Sequence, residues 1–323
     1  MSPFNKSSVA EEVASTFASS IKDRTFLITG TSAGGIGAYA ATSLAAHSPA
    51  HLILVARSAP KVEPVISSIA ATNPSLKVTF VHCELTDRDS VRKAAATILD
   101  DATIPHIDVI INNAGVMMLP KYTTDSAGYE LQLSANHLGP FLLTNLLLPR
   151  LAAAGPEARV VNVTSDGHKI SPFRFEDWNF SKGETYDGWT AYGQSKTANN
   201  LFTTELVRRG ITAFAAHPGV IMATSLKRHL NLDGGDDPFK LLEAVTVRNT
   251  GVKFVVGEQK TLTQGTAAVL VPALDPELKE KSGAYFEDCQ VAKAAEYSQD
   301  GEAARKLWAL SEELVGDKFP EEK

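Results

Sequence analysis

The sequence predicts an α/β fold, a doubly wound parallel sheet with helices on both faces, on three observations. Short apolar runs alternate with segments of helical period along most of the chain. The runs are apolar at nearly every position rather than every second one, as in strands covered on both faces. A glycine-rich turn joins the first run directly to a helical segment.

The strand-like runs are Thr25–Thr29, His51–Ala56, Lys77–His82, 107–112, 159–164 and 211–216. Between them, helical period and length recur at 36–47, 87–100, 126–151 and 190–209, which supplies the crossovers that parallel neighbours need. Two regions break the rhythm: 166–189, rich in aromatic and polar residues, and 221–258, which contains Gly234, Gly235 and Pro238. In an open α/β sheet, irregular insertions after the carboxyl ends of strands lie where ligands bind, so both are expected to wall a substrate. Residues 1–24 read as a polar extension and 25–323 as one domain, with no internal repeat or low-complexity linker.

Composition narrows the function classes. The 323 residues are 44% hydrophobic and 21% charged, ordinary for a globular chain with a large core. A net charge of −6 and the lack of a Lys/Arg-rich run argue against nucleic acid as a partner. Cys83 and Cys289 are too few for a disulfide framework and lack metal-ligand spacing, which suits a reducing compartment, the cytoplasm. No apolar run has the length of a signal peptide core or of a membrane helix, so no membrane association is expected.

The first strand ends in Thr29-Gly30-Thr31-Ser32-Ala33-Gly34-Gly35-Ile36-Gly37. Glycines there let the backbone approach a pyrophosphate, whose charge the free N–H groups of the helix start stabilise. A tight turn or a helix cap would explain a glycine cluster alone; between a strand and a helix at the head of such a sheet, it reads as the dinucleotide site of a Rossmann-type fold. After the second strand, NAD-specific proteins usually carry an acidic residue for the ribose diol. This chain has Ala56-Arg57-Ser58, and a guanidinium with no carboxylate beside it in sequence favours a 2′-phosphate, hence NADP(H). Arg57 could equally be a solvated surface residue.

Tyr192-Gly193-Gln194-Ser195-Lys196 opens a long helical segment, and a spacing of four puts Tyr192 and Lys196 on one face. A free tyrosine titrates near ~10, so proton exchange near neutrality needs ~4 kcal/mol of differential stabilisation of its phenolate. A neighbouring ammonium and a positively charged nicotinamide ring both act in that direction. By itself the pair would also fit an amphipathic helix.

Taken with Asn112-Asn113-Ala114-Gly115 after the fourth strand, Asn136, Ser165 after the fifth and His217-Pro218-Gly219 after the sixth, these motifs resemble the short-chain dehydrogenase/reductase superfamily from about residue 25 to 225. The long segment between Ser165 and Tyr192, the run Val161-Asn162-Val163-Thr164-Ser165 and the tail 283–289 resemble its retinol-dehydrogenase-like and WW-domain-oxidoreductase-like branch. The resemblance implies catalytic roles for Asn136, Ser165, Tyr192 and Lys196. Ser165 would bond the substrate oxygen, Tyr192 would exchange its proton, Lys196 would hold the nicotinamide ribose, and Asn136 would hold a water linking Lys196 to solvent. It implies cofactor contacts at Gly30, Ser32, Gly34, Gly35, Ile36, Gly37, Arg57 and Ser58, then at Glu84, Leu85, Asn113, Ala114 and Gly115, and finally at Tyr192, Lys196, Pro218, Gly219 and Thr224. It also implies homodimers paired through the helices that carry Asn136 and Tyr192.

The chain departs from the family pattern in three places. The glycine turn is one residue longer than Thr-Gly-x-x-x-Gly-Ile-Gly, leaving open which of Gly34 and Gly35 faces the phosphates; Thr224 lies one position late, with Ser225 as a substitute; and Glu84 replaces an Asp near the adenine. No metal is expected: His47 and His51 are separated by Ser48-Pro49, and the other histidines lack ligand spacing, although His168 lies close enough to Ser165 in sequence to touch substrate. There is no Gly-x-Ser-x-Gly elbow at Ser165, which disfavours hydrolysis. The expected activity is hydride transfer between NADP(H) and a carbonyl or secondary alcohol; the alternative is a non-catalytic NADP(H)-binding redox sensor. Phe173, Phe175, Trp178, Trp189, Met117 and Met118 point to a bulky lipophilic carbonyl, unless they serve packing.

Overall fold

The computed structural model describes residues 2–230 and 238–319, so that Gly234 and Gly235 lie outside the described residues. Its strands are β1 (Thr25–Thr29), β2 (His51–Ala56), β3 (Lys77–His82), β4 (Val109–Asn112), β5 (Arg159–Val163), β6 (Ala213–His217), β7 (Tyr285–Glu287) and β8 (Gln290–Ala292). The helices are α1 (Ala10–Thr16), α2 (Ile36–Ala45), α3 (Ala59–Thr72), α4 (Arg88–Asp100), α5 (Leu131–Leu133), α6 (Gly139–Leu146), α7 (Leu148–Ala153), α8 (Gly188–Arg208), α9 (Pro238–Thr250), α10 (Leu262–Leu274) and α11 (Gly301–Val315).

All eight strands form one sheet, ordered β3-β2-β1-β4-β5-β6-β7-β8, parallel except for the β7–β8 pair. Successive side chains of a strand point to opposite faces, and the core divides accordingly. Phe26 and Ile28 of β1, Leu52 and Leu54 of β2 and Val161 of β5 pack with α1, α2, α3 and α10. Leu27, Ile53 and Val160, one residue out of phase, pack with α4, α6, α8 and α11. The chain reverses direction of winding between β1 and β4, so the carboxyl ends of these strands part and leave a crevice.

Three features differ from the sequence expectations. The helical stretch expected at 126–151 is broken: α5 passes into a π-helical turn, Ser134–Leu138, before α6, and α7 follows separately. Pro140 and Pro149 cause this, since each lacks the N–H that would continue the ladder. The stretch 1–24, read as a polar extension, folds onto the domain: Phe4, Ala10, Val13, Ala14 and Ile21 are buried in the core beside α10. Finally, the faces expected to pair two copies are covered within the chain. Helix α11 lies on α8, with Trp308 5.9 Å from Phe202 and 4.9 Å from Phe141 and with Ser311 bonded to His137 at 2.8 Å. Among the described residues no helix is long and apolar enough to cross a membrane.

Candidate active site

The glycine turn has the shape that a dinucleotide requires. A Cβ on Gly37 would stand 2.7 Å from the Gly30 carbonyl oxygen and 2.6 Å from Nδ2 of Asn113, so only glycine lets α2 approach the end of β1 this closely. Gly35 is the N-cap of α2 and lines the cleft. Gly34 adopts φ +79° with open space around it. Gly35-Ile36-Gly37 matches the family's Gly-Ile-Gly, and Gly35 lines the cleft where Gly34 does not. Asn113 ties the turn to β4, donating from Nδ2 to the carbonyls of Thr29 at 2.9 Å and Gly30 at 3.2 Å, while the Thr29 hydroxyl accepts the amides of Asn113 and Ala114. The free N–H groups of the α2 start and the bare backbone of the turn fit a pyrophosphate.

The cleft, about 250 Å³ in volume, runs from this turn past Ala56, Arg57, Glu84 and Leu85 to Ser165, Tyr192 and Lys196, and on to Pro218, Gly219 and Thr224. Gly30, Ser32, Ile36, Ala114 and Gly115 also line it. Gly37, Ser58 and Asn136 do not: Gly37 packs behind the turn, Ser58 caps the start of α3 and Asn136 is buried. Arg57 is exposed, with a guanidinium nitrogen 3.6 Å from the Glu84 carboxylate at the end of the next strand.

Helix α8 begins at Asp187, whose carboxylate accepts the amides of Trp189 and Thr190. This cap fixes the turn that presents Tyr192, and Lys196 follows one turn later. Both are buried. The Lys196 Nζ donates to the Val163 carbonyl at 3.1 Å, at the carboxyl end of β5, two residues before Ser165. Burial lowers the Lys196 pKa to about 8. Burial also pushes the Tyr192 phenol up to about 12; the adjacent Ser165 hydroxyl draws it back in part, and the Asp166 carboxylate adds to the rise. The depressed phenol expected from the sequence is thus not produced by the protein groups alone. Desolvation is the largest influence, and the Lys196 ammonium is directed at a main-chain carbonyl.

Asn136 sits in the π-helical turn with its side chain fully engaged. Its Oδ1 accepts the Val116 amide at 2.8 Å, and its Nδ2 donates to the Val116 carbonyl and the Ser195 hydroxyl, each at 2.9 Å. Four residues on stands Pro140, so the main-chain carbonyl of Asn136 lacks its α-helical donor.

A family model described as short chain dehydrogenase matches residues 24–234. The chain belongs to the short-chain dehydrogenase family. It is 36% identical to human retinol dehydrogenase 13 over 304 residues, covering 93% of this chain and 87% of that one. Retinol dehydrogenase 12 of Mus musculus is 36% identical over 300 residues, 92% of this chain and 87% of that one. A solved structure from Mycobacterium Paratuberculosis superposes with a TM-score of 0.67 at 30% identity, covering 93% of this chain and 96% of that one.

In this short-chain dehydrogenase, His168 is structural. It is fully buried, Nε2 accepts the Ala295 amide at 3.1 Å, and Nδ1 therefore donates to the Ser165 carbonyl at 2.7 Å. Burial lowers its pKa to about 4, which keeps this neutral tautomer. It holds Ser165 in place rather than touching substrate.

The sequence reading missed a charged cluster that joins the loops after β5 and β6. Asp166 lies 3.5 Å from His217 and accepts the Tyr285 hydroxyl at 3.1 Å. Lys169 bonds Asp166 and stands 3.7 Å from Glu287. Burial would raise the Asp166 carboxyl, but His217 and Lys169 together hold it well below the usual carboxylate range. With an ammonium already beside both carboxylates, Asp166, His217 and Glu287 read as an internal ion cluster that fixes Pro218-Gly219 relative to Ser165.

The aromatic segment divides in two. Phe173, Phe175 and Trp178 pack against the core on the α4 and α11 side, with Trp178 5.4 Å from Tyr129. Trp189, Met117 and Met118 instead join Tyr192 in a separate apolar cluster, completed by Ile170, Leu242, Val245, Leu230 and Phe254. Helix α9, unforeseen within the second insertion, supplies Leu242 and Val245, and Arg248 and Asn249 anchor it to Thr190 at the start of α8.

Proposed function

We propose that the protein is an NADP(H)-dependent oxidoreductase that reduces bulky, lipophilic ketones or aldehydes. The observation that carries this reading is the meeting of Ser165, Tyr192 and Lys196 at one end of a cleft whose other end is the glycine turn and Arg57. When bound, the cofactor supplies the hydride, and its oxidised ring is positively charged.

The chain's own residues do the rest. The Ser165 hydroxyl donates to the substrate oxygen and orients it, and the Tyr192 O–H gives that oxygen a proton. A phenol held neutral at pH 7 suits a donor in the reducing direction, and the positive charge of an oxidised cofactor would favour the phenolate that remains. Lys196 would hold the ribose hydroxyls of the cofactor near Tyr192. The Asn136 carbonyl, whose α-helical donor Pro140 cannot supply, would accept a water that refills the proton path. At the far end, the Arg57 guanidinium favours a 2′-phosphate over a bare diol, opposed by Glu84 at 3.6 Å.

The apolar cluster that Trp189, Met117, Met118, Leu242 and Val245 form around Tyr192 favours a large apolar substrate beside it. Relatives named retinol dehydrogenases are consistent with that, since retinol is a long apolar alcohol. The test is NADPH oxidation by the purified protein against a panel of ketones, aldehydes and quinones. Turnover that rises with the apolar size of the carbonyl compound is expected; no NADPH consumption with any member, or preference for small hydrophilic ones, overturns the reading.

A further inference from the structure

We propose that Gln132 is a positioning residue that sets which carbonyl compounds the site accepts, by holding Met118 and the first turn of α8 in one frame. This rests on the functional reading above. Gln132 is fully buried, and its amide joins three segments around the substrate side of Tyr192. Its Oε1 accepts the Met118 amide at 2.8 Å. Its Nε2 donates to the Tyr186 hydroxyl at 3.1 Å and to the Gly188 carbonyl at 3.2 Å. Tyr186 passes the connection on, donating to the Leu119 carbonyl at 2.8 Å.

Each bond bears on the site. Met118 has φ +53°, a conformation costly for a long side chain, and the Gln132 acceptor holds its amide there. In that conformation Met118 packs into the cluster containing Tyr192 and Trp189. Gly188 is the first residue of α8, and by helical register its carbonyl also receives the amide of Tyr192, four residues on. Gln132 thus grips the carbonyl that fixes the proton donor. A Cβ on Gly188 would lie 2.8 Å from both the Leu119 oxygen and the Met118 sulfur, so the two segments are in close contact there. Glu130 secures Gln132 itself, accepting its amide at 3.0 Å and that of Leu133 at 2.8 Å. Losing the Gln132 amide releases Met118 from the left-handed region, and the wall moves while the glycine turn and Arg57, on other elements, do not.

The experiment compares kcat/KM for a bulky aryl ketone and for a small aldehyde in wild type, Gln132→Met and Tyr186→Phe, alongside NADPH dissociation constants. Gln132→Met keeps the length of the side chain but not its hydrogen bonds. Tyr186→Phe removes one hydroxyl, leaves the ring packing, and keeps the test open should Gln132→Met fail to fold. The ratio of the two specificity constants is expected to change about fivefold or more in Gln132→Met and in the same direction, by less, in Tyr186→Phe, with NADPH affinity within about twofold of wild type. Leu307→Ala, a destabilising change in α11 and in a different apolar cluster from Met118 and Tyr192, controls for general loosening and is expected to leave the ratio alone. An unchanged ratio in an active Gln132→Met protein, or in Tyr186→Phe if that alone folds, overturns the inference and leaves the functional reading standing. An equal shift in Leu307→Ala also overturns it. A wild type inert to every carbonyl compound overturns both.

Discussion

The Lys196 ammonium lies 5.7 Å from the centre of the Tyr192 ring, and its hydrogen bond goes to the Val163 carbonyl instead of the phenol oxygen. Among the described residues no carboxylate lies at hydrogen-bond distance from this buried charge, and burial has lowered its pKa to about 8. The unfolded chain therefore binds more protons than the folded one between about pH 8 and 10.5, and stability rises with pH across that window. Lys196→Met is expected to be more stable than wild type at pH 7, by on the order of 3 kcal/mol, with the gap closing as pH climbs through the window. Urea unfolding of both proteins at a series of pH values checks this; a less stable variant at pH 7 contradicts it. The same variant is expected to bind cofactor more weakly and to shift the alkaline limb of the oxidation profile upwards.

Tyr192→Phe removes one oxygen and little volume, so fold and cofactor affinity should persist. Turnover should fall by ~10² to 10⁴-fold, the usual worth of a general acid. Ser165→Ala should also lower kcat. Single-turnover hydride transfer is the measurement, and a Tyr192→Phe protein within about threefold of wild type would show that another group supplies the proton.

Exposed Arg57 and half-buried Glu84 form a pair in the cleft, at the end away from Tyr192. Arg57→Ala is expected to weaken NADPH by about 10- to 100-fold, the range for lost hydrogen bonds to a charged group, and to leave NADH nearly unchanged. Glu84→Gln removes the competing carboxylate and should widen the preference for NADPH. Dissociation constants for both cofactors decide it, with equal affinities in wild type as the contrary result.

Because α11 covers α8 and Trp308 stacks beneath the Arg209 guanidinium at 3.7 Å, the helix-pairing surface implied by the family resemblance is already in use. Sedimentation is expected to show a 34.6 kDa species at micromolar protein. A stable dimer would require α11 to leave or another face to pair. Removing α11 should expose Phe141, Phe202 and Leu206, all buried, and yield aggregation or association.

The sequence by itself determined the sheet from β1 to β6, because continuous apolar runs such as His51–Ala56 admit few positions in a covered parallel sheet. It also determined the order of the glycine turn, Ser165, Tyr192 and Lys196, since the chemistry of each depends on residue type and local spacing. The short strands β7 and β8 escaped notice, because three residues carry no periodicity and pairing alone makes them strands. Helix α1 escaped because its small apolar face is defined mainly by α10, distant in sequence. Tertiary structure alone decided that Phe173, Phe175 and Trp178 serve the core while Trp189, Met117 and Met118 join the apolar cluster around Tyr192, that His168 is a neutral brace, and that Gly35 lines the cleft where Gly34 does not. Type and spacing act within a few residues along the chain, whereas burial and the direction of a hydrogen bond depend on segments brought together from across it.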